Sequence, residues 1–189
     1  MYTHSIPIDP SIPIVLHKAK TILETGWCQL KFRTIIEKGE RQVHACCLVA
    51  AISDASFILY PQDPQPYPGG YSKTAWSCYA YLTELLGPEA PVLPITKDKY
   101  GVPDPPAYPV SILMKWNDLP DRTQSDVLDL LQTAISTQSI LLEIQETAYF
   151  KYLARGSIPG HDLDDWLAAE QEVLARYLVD GDDNQWYAI

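Results

Sequence analysis

The 189-residue chain holds no apolar run of the roughly 18 to 20 residues that a bilayer-spanning helix needs, which excludes an integral membrane protein of the helical kind. Its N-terminus, MYTHSIPIDPSIP, lacks the basic stretch and apolar run of a secretory signal. Cysteine is scarce: Cys28, Cys46, Cys47 and Cys78, two of them adjacent, give no regular disulfide framework. Without an export signal the thiols are expected to stay reduced and the protein to be cytoplasmic. Also missing are a phosphate-binding glycine loop, a dinucleotide fingerprint, a G-x-S-x-G nucleophile turn, internal repeats and low-complexity segments. No cofactor is implied.

Basic residues are sparse in the last third. Residues 1–125 carry a net charge of −1, whereas residues 126–189 hold 12 acidic and 3 basic side chains, a net of −9. Phosphate backbones and anionic membranes repel such a surface, so neither nucleic acid nor membrane is expected as a partner. A protein with a basic face suits it better; the oligomeric state is not legible.

What the chain does have is proline, 16 in all, clustered at 7–13, 61–68, 88–94 and 103–109. Each cluster marks a loop or extended crossing, because proline disrupts helix interiors and central strands. Periodic segments lie between. In IVLHKAKTILETG, Val15, Leu16, Ala19, Ile22 and Leu23 recur at helical spacing and Gly26 supplies a stop. WCQLKFRTII alternates Cys28, Leu30 and Phe32 against Gln29, Lys31 and Arg33, the pattern of a half-buried strand. Residues 45–59 are apolar enough for a buried helix whose first turn holds Cys46 and Cys47. Ser72 caps a helix over 72–86, and VSILMKW alternates like a second strand. From Asp121 the chain reads as helical: TQSD (123–126) has the form of a capping box, a further helix spans about 139–154 and stops at Gly156, and Asp162 caps a last helix with Asp165 at the box position.

The stretch HACCLVAAISDA (44–55) crowds thiols and an imidazole. A catalytic cysteine needs a lowered pKa, which a helix N-terminus or a neighbouring imidazolium can supply, so Cys47 with His44 is a candidate nucleophile pair. Its Ala/Val/Leu/Ile surroundings point instead to a packed core residue. His44, Cys46, Cys47 and Cys78 make a poor zinc set, because adjacent cysteines do not both turn easily to one ion. DGDDN (180–184) opens like a calcium loop, yet has Gln185 at the glycine position and too few residues for the twelfth ligand. No metal is expected. His161, at a helix start, is a weaker candidate base. Asn117 and Asp118 read as an exposed polar pair at a strand end, where ligands gather, or as an Asx turn set by Pro120.

Two resemblances add to this. ETAYFKYLARGSIPGHDLDDWLAAEQEV (146–173) resembles a short bacterial domain of unknown function with the pattern Ala-Tyr, Gly, Gly, Trp-x-x-Ala-Glu, here Ala148, Tyr149, Gly156, Gly160, Trp166, Ala169 and Glu170. It implies a helical hairpin, with Tyr149 facing Trp166, and no established activity. CLVAAISDA (47–55) with WNDLPDRTQSDVLDLLQTAI (116–135) resembles uncharacterised bacterial and phage proteins carrying Cys-x-x-Gly-Ala and, later, Trp-Asn-Asp. Cys47, Ala51, Trp116, Asn117 and Asp118 fit; Ala50 stands where that pattern has glycine.

The fold expected is α+β and predominantly helical: a compact helical core with a small β-sheet over about residues 10–137, then an acidic helical hairpin over 138–180. The first functional reading is a non-enzymatic interaction or regulatory protein that uses the hairpin and exposed aromatics around the proline loop, Tyr67, Tyr71 and Trp76. The alternative is a small enzyme or ligand-binding domain centred on Cys47 with Asn117 or Asp118, and Asp118 or His44 in the catalytic role. A third, an acidic mimic of nucleic acid, requires the carboxylates of the last two helices to line one face.

Overall fold

The structure, a computed structural model, describes residues 8–91 and 109–179. The DGDDN segment and parts of the last two proline clusters lie outside the described residues. The chain divides into two compact units, Met1–Ser136 and Thr137–Ile189. Six α-helices and one two-stranded antiparallel sheet make up the regular structure among the described residues, a predominantly helical α+β architecture.

In the first unit α1 (Ser11–Thr25) places Ile12, Val15, Leu16, Ala19 and Leu23 on one buried stripe. It packs against α2 (Leu48–Leu59) and α3 (Lys73–Leu86), and α3 in turn meets α4 (Pro109–Asn117). Pro13 falls in the first turn of α1, where its missing N–H has no intrahelical acceptor to lose. α2 is the centre of this core: Leu48, Val49, Ala50, Ala51, Ile52 and Ala55 are fully buried. Tyr79 and Tyr81 bury their rings and still satisfy their hydroxyls, which donate to the carbonyls of Val49 (3.0 Å) and Ala134 (3.2 Å). Ser72 caps α3 as expected, its Oγ accepting from the Ala75 amide at 3.1 Å.

The sheet is a hairpin of β1 (Arg33–Lys38) and β2 (Arg41–Cys46), turned at Gly39, whose φ of +65° suits the two-residue connection. WCQLKFRTII is therefore a strand only in its last part. Leu30 and Phe32, expected inside, are 81% and 37% exposed. β2 hides in the polar sequence RQVHAC, and Cys46 closes that strand instead of opening the helix. Gly26 is extended (φ −170°), so it does not stop α1 through left-handed backbone. Its role is close approach: a Cβ there would lie 2.8 Å from the His44 carbonyl oxygen.

VSILMKW is helix, not strand. Its seven residues satisfy both periods, and the buried set Val110, Leu113, Trp116 and Asn117 is the helical one. The first two of the three helices expected after Asp121 are one, α5 (Gln124–Ala154), because nothing in ISTQSI breaks a helix. Its start is the expected capping box: Thr123 Oγ1 accepts from the Asp126 amide, and Asp126 Oδ2 accepts from the Thr123 amide at 2.7 Å.

The second unit contains the end of α5, a tight turn and α6 (Asp162–Val179). The Gly156 and Ser157 amides donate to the carbonyls of Leu153 and Tyr152, a Schellman stop with Gly156 at φ +84°. Ile144, Ala169 and Val173 form a small core flanked by Ile140, Ala148 and Trp166. Ala148, not Tyr149, faces Trp166's side; Tyr149 is 57% exposed. Asp162 is the first helical residue and not the cap. Asp165 turns its carboxylate to Arg155, an ion pair that outcompetes a reach back to the backbone. No helix among the described residues is long and apolar enough to cross a membrane.

Candidate functional site

Two segments nearly 70 residues apart, the start of α2 and the end of α4, meet in the first unit. α4 ends because Asp118 makes the last helical bond, its amide donating to the Met114 carbonyl at 3.0 Å, and Pro120 follows. The Asn117 side chain, with 0% exposure, then becomes a four-way junction. Its Oδ1 accepts from Trp27 Nε1 (2.8 Å) and from the Leu48 amide (3.2 Å) in the first turn of α2. Its Nδ2 donates to the Cys28 carbonyl (3.2 Å) and to Asp118 Oδ1 (2.8 Å). An amide side chain has two acceptor and two donor positions, so Asn117 is saturated. Gln29 adds a clamp, donating to the carbonyls of Asn117 (2.9 Å) and Leu119 (2.7 Å).

Asp118 Oδ1 also accepts from the Leu30 amide at 2.8 Å, which holds Leu30 at φ +60°, a left-handed conformation uncommon for a leucine. The Cys47 amide donates to the Phe32 carbonyl at 3.1 Å. Together these bonds wrap residues 27–32 around the α4 terminus. Under the wrap lies a cavity of about 120 Å³ lined by Leu30, Lys31, Phe32, Cys47, Met114 and Asp118.

Cys47 is the residue just before α2 and is 4% exposed. Burial pushes its thiol up, against a smaller downward pull from the Ala50 and Val49 amides, and Asp118 pushes it further up. Cys28 is raised by burial, then by Cys47 and Asp118, and its thiol donates to the Lys31 carbonyl at 3.3 Å. Cys46 is pushed up to about 12, mainly by burial. All four cysteines are free and buried. His44 stands exposed on β2 opposite Ile35, and no hydrogen bond among the described residues joins its ring to Cys47. The arrangement keeps these thiols protonated at neutral pH. No group of three or more His, Cys, Asp or Glu among the described residues is placed to hold a metal ion.

Cys47 and Asp118 thus share one cavity wall, while Asn117 is buried structure rather than part of an exposed pair at a strand end. Trp116 is also in the core, 2% exposed, with the Arg122 guanidinium 3.8 Å from its ring centroid. Tyr67, Tyr71 and Trp76 belong elsewhere: Tyr67 stacks on Trp76 (4.7 Å between centroids) and Tyr71 meets Tyr79 edge-on at 5.3 Å. These half-buried rings pin the proline loop onto α3. Sequence reasoning missed Trp27, Gln29 and Leu30 as partners of α4, because bonds across about 90 residues leave no local periodicity.

In the second unit all three basic side chains are engaged in ion pairs: Lys151 with Glu172 (2.7 Å), Arg176 with Glu143 (2.7 Å), and Arg155 with Asp165. Glu146, Asp162 and Glu170 have no basic partner among the described residues, and Asp164 has only the His161 ring, at 3.2 Å. Tyr149, Phe150, Leu153, Leu163 and Leu167 are exposed. At about 100° per residue the α6 carboxylates at positions 162, 164, 165 and 172 fall on one half of the helix and Glu170 outside it, and two of them, Asp165 and Glu172, are paired with Arg155 and Lys151.

The model of a protein family of unknown function, DUF2934, matches residues 143–175. No curated protein and no solved structure matches the chain. A second family model covers residues 7–137, well over half the sequence, and the chain belongs to that family, the family of unknown function DUF6197.

Proposed function

We propose that this is a non-enzymatic interaction protein whose acidic helical hairpin takes a basic, partly apolar segment of a partner protein. One observation carries the proposal. The hairpin neutralises each of its three bases internally, yet leaves the carboxylates of Glu146, Asp162 and Asp164 and a set of large apolar side chains exposed. Internal pairing holds the two helices in place at little net cost in surface charge, and what remains outward is negative charge beside Tyr149, Phe150 and Leu153 on α5. Exposed aromatics next to like charges suit an interface with apolar anchors and a polar rim. Charge of one sign selects partners of the other and raises their association rate.

The buried, protonated thiols and the saturated Asn117 weigh against the enzyme alternative. The rings at Tyr67, Tyr71 and Trp76 keep a secondary place, since Tyr67 and Trp76 stack on each other and Tyr71 packs edge-on against Tyr79.

Capture from host cytosol on immobilised full-length protein tests the proposal, read against a Phe150→Glu, Leu153→Glu double variant of unchanged helicity. The expected result is one or more basic proteins retained by the parent chain, released by salt, and lost from the variant. The same proteins on both matrices, or only acidic ones, would remove the hairpin as the binding element.

A further inference from the structure

We propose that the cavity between the start of α2 and the end of α4 binds a small zwitterion, a free α-amino acid with a short side chain. Its lining residues include one acid and one base, Asp118 and Lys31, with the apolar Leu30, Phe32 and Met114 and with Cys47 as the remaining one.

Asp118 divides its two oxygens between two tasks. Oδ1 accepts from the Leu30 amide and from Asn117 Nδ2, which fixes the carboxylate in place. Oδ2 has no hydrogen-bond partner among the described residues, so half of an immobilised, half-buried carboxylate is left for a ligand. Lys31 is exposed and forms no ion pair with Asp118 or any other described residue. An acid and a base therefore border one space without an ion pair between them.

That pairing selects the ligand class. A simple cation would gain from Asp118 and be opposed by Lys31; a simple anion meets the reverse. A molecule with an ammonium and a carboxylate on neighbouring atoms satisfies both walls at once. Cys47, kept neutral by burial, adds no competing charge. Size sets the second limit: a cavity of about 120 Å³ suits a compact molecule better than a nucleotide or an aromatic amino acid. The apolar walls then accommodate a methyl or similarly short side chain. The site's lining residues all lie in the first unit.

The experiment is a titration of ¹⁵N-labelled full-length protein. The Leu30 amide, which donates to Asp118, and the Cys47 amide serve as reporters. Glycine, alanine and serine are compared with ethylammonium, with propionate and with tryptophan. Expected are saturable shifts of both reporters by at least one short amino acid, with a Kd of about 1 mM or tighter, and binding about tenfold or more weaker for each single-charge probe and for tryptophan. Asp118→Asn keeps the Oδ1 acceptor and with it the Leu30 bond, and Lys31→Gln alters an exposed side chain; each should weaken binding about tenfold with the rest of the spectrum unchanged. The proposal is overturned if no amino acid gives a saturable shift, if ethylammonium, propionate or tryptophan binds as tightly as alanine, or if either variant binds like the parent.

Discussion

Replacing Asn117 probes the junction on which the first unit's site is built. Asn117→Ala removes four hydrogen bonds, to Trp27, Leu48, Cys28 and Asp118. Trp27 and Asp118 are half-buried, so their freed groups can turn to water. The Leu48 amide and Cys28 carbonyl belong to residues 0% and 8% exposed, and have nowhere to turn. Two stranded buried groups at about 1–3 kcal/mol each predict a loss of roughly 2–6 kcal/mol. Against a typical total of about 5–15 kcal/mol, that is a large share of the fold's stability. Asn117→Asp sharpens the case. It retains the acceptor for Trp27 and Leu48, but sets a second oxygen against the Cys28 carbonyl and Asp118 Oδ1. Burial and the Asp118 charge raise the introduced carboxyl above its unfolded value of about 3.9. The sign follows: the protonated acid can donate to Cys28, so this variant is closest to the parent below the unfolded pKa and loses ground as pH rises. Urea denaturation followed by tryptophan fluorescence, with hydrogen exchange at α1 and α2 amides to confine the readout to the first unit, measures both effects. An alanine variant within about 0.5 kcal/mol of the parent, or an aspartate variant whose deficit is the same at pH 4 and pH 7, would refute the reasoning.

Three further outcomes follow from the same structure. Gly26→Ala places a Cβ 2.8 Å from the His44 carbonyl oxygen and 3.1 Å from the Ala45 Cβ, where backbone cannot yield, and should destabilise by about 1–3 kcal/mol with faster exchange along β2; an unchanged urea midpoint would show the approach to be looser than described. Cys47 should react with iodoacetamide at least about tenfold more slowly in the folded chain than in urea, its rate still climbing above the ordinary thiol pKa of about 8.5; rapid alkylation below neutral pH would revive the enzyme alternative. The Asp126 carboxyl is held below its ordinary range by the Thr123 amide and hydroxyl, so it stabilises above the unfolded pKa and stops doing so as pH falls through the folded one. Asp126→Asn should therefore flatten the acid limb of the stability profile, and an acid limb identical to the parent's would count against the capping box.

What was legible in the sequence follows from the range over which each interaction acts. The caps at Ser72 and Thr123, the Gly156 stop and the apolar stripe of α1 each depend on residues within a few positions, and the structure has them as read. The strand expected over 110–116 failed because seven residues fit two periods, and only contact with α3 decides between them. β2 was unreadable because a hairpin at the surface, with polar residues on both sides of Gly39, has no buried alternation to display. The helix boundary expected ahead of residue 139 is absent because ISTQSI holds neither glycine nor proline to end a helix.

The candidate site shows why residue type identified the right neighbourhood and misjudged the roles within it. Cys47, Asn117 and Asp118 do converge, but chemistry-bearing side chains at buried helix ends are often needed first as hydrogen-bond partners for amides the helices leave unsatisfied. Asn117 spends its whole capacity that way, on Leu48 at the start of α2 and on the 27–32 wrap. Asp118 spends half, and Cys47 contributes bulk at the α2 start rather than a thiolate. Function in such a knot falls to whatever capacity the structure does not consume. Here that is the Asp118 oxygen left without a hydrogen bond, on a residue that lines a small cavity with Lys31, a remainder that only the three-dimensional accounting of donors and acceptors reveals.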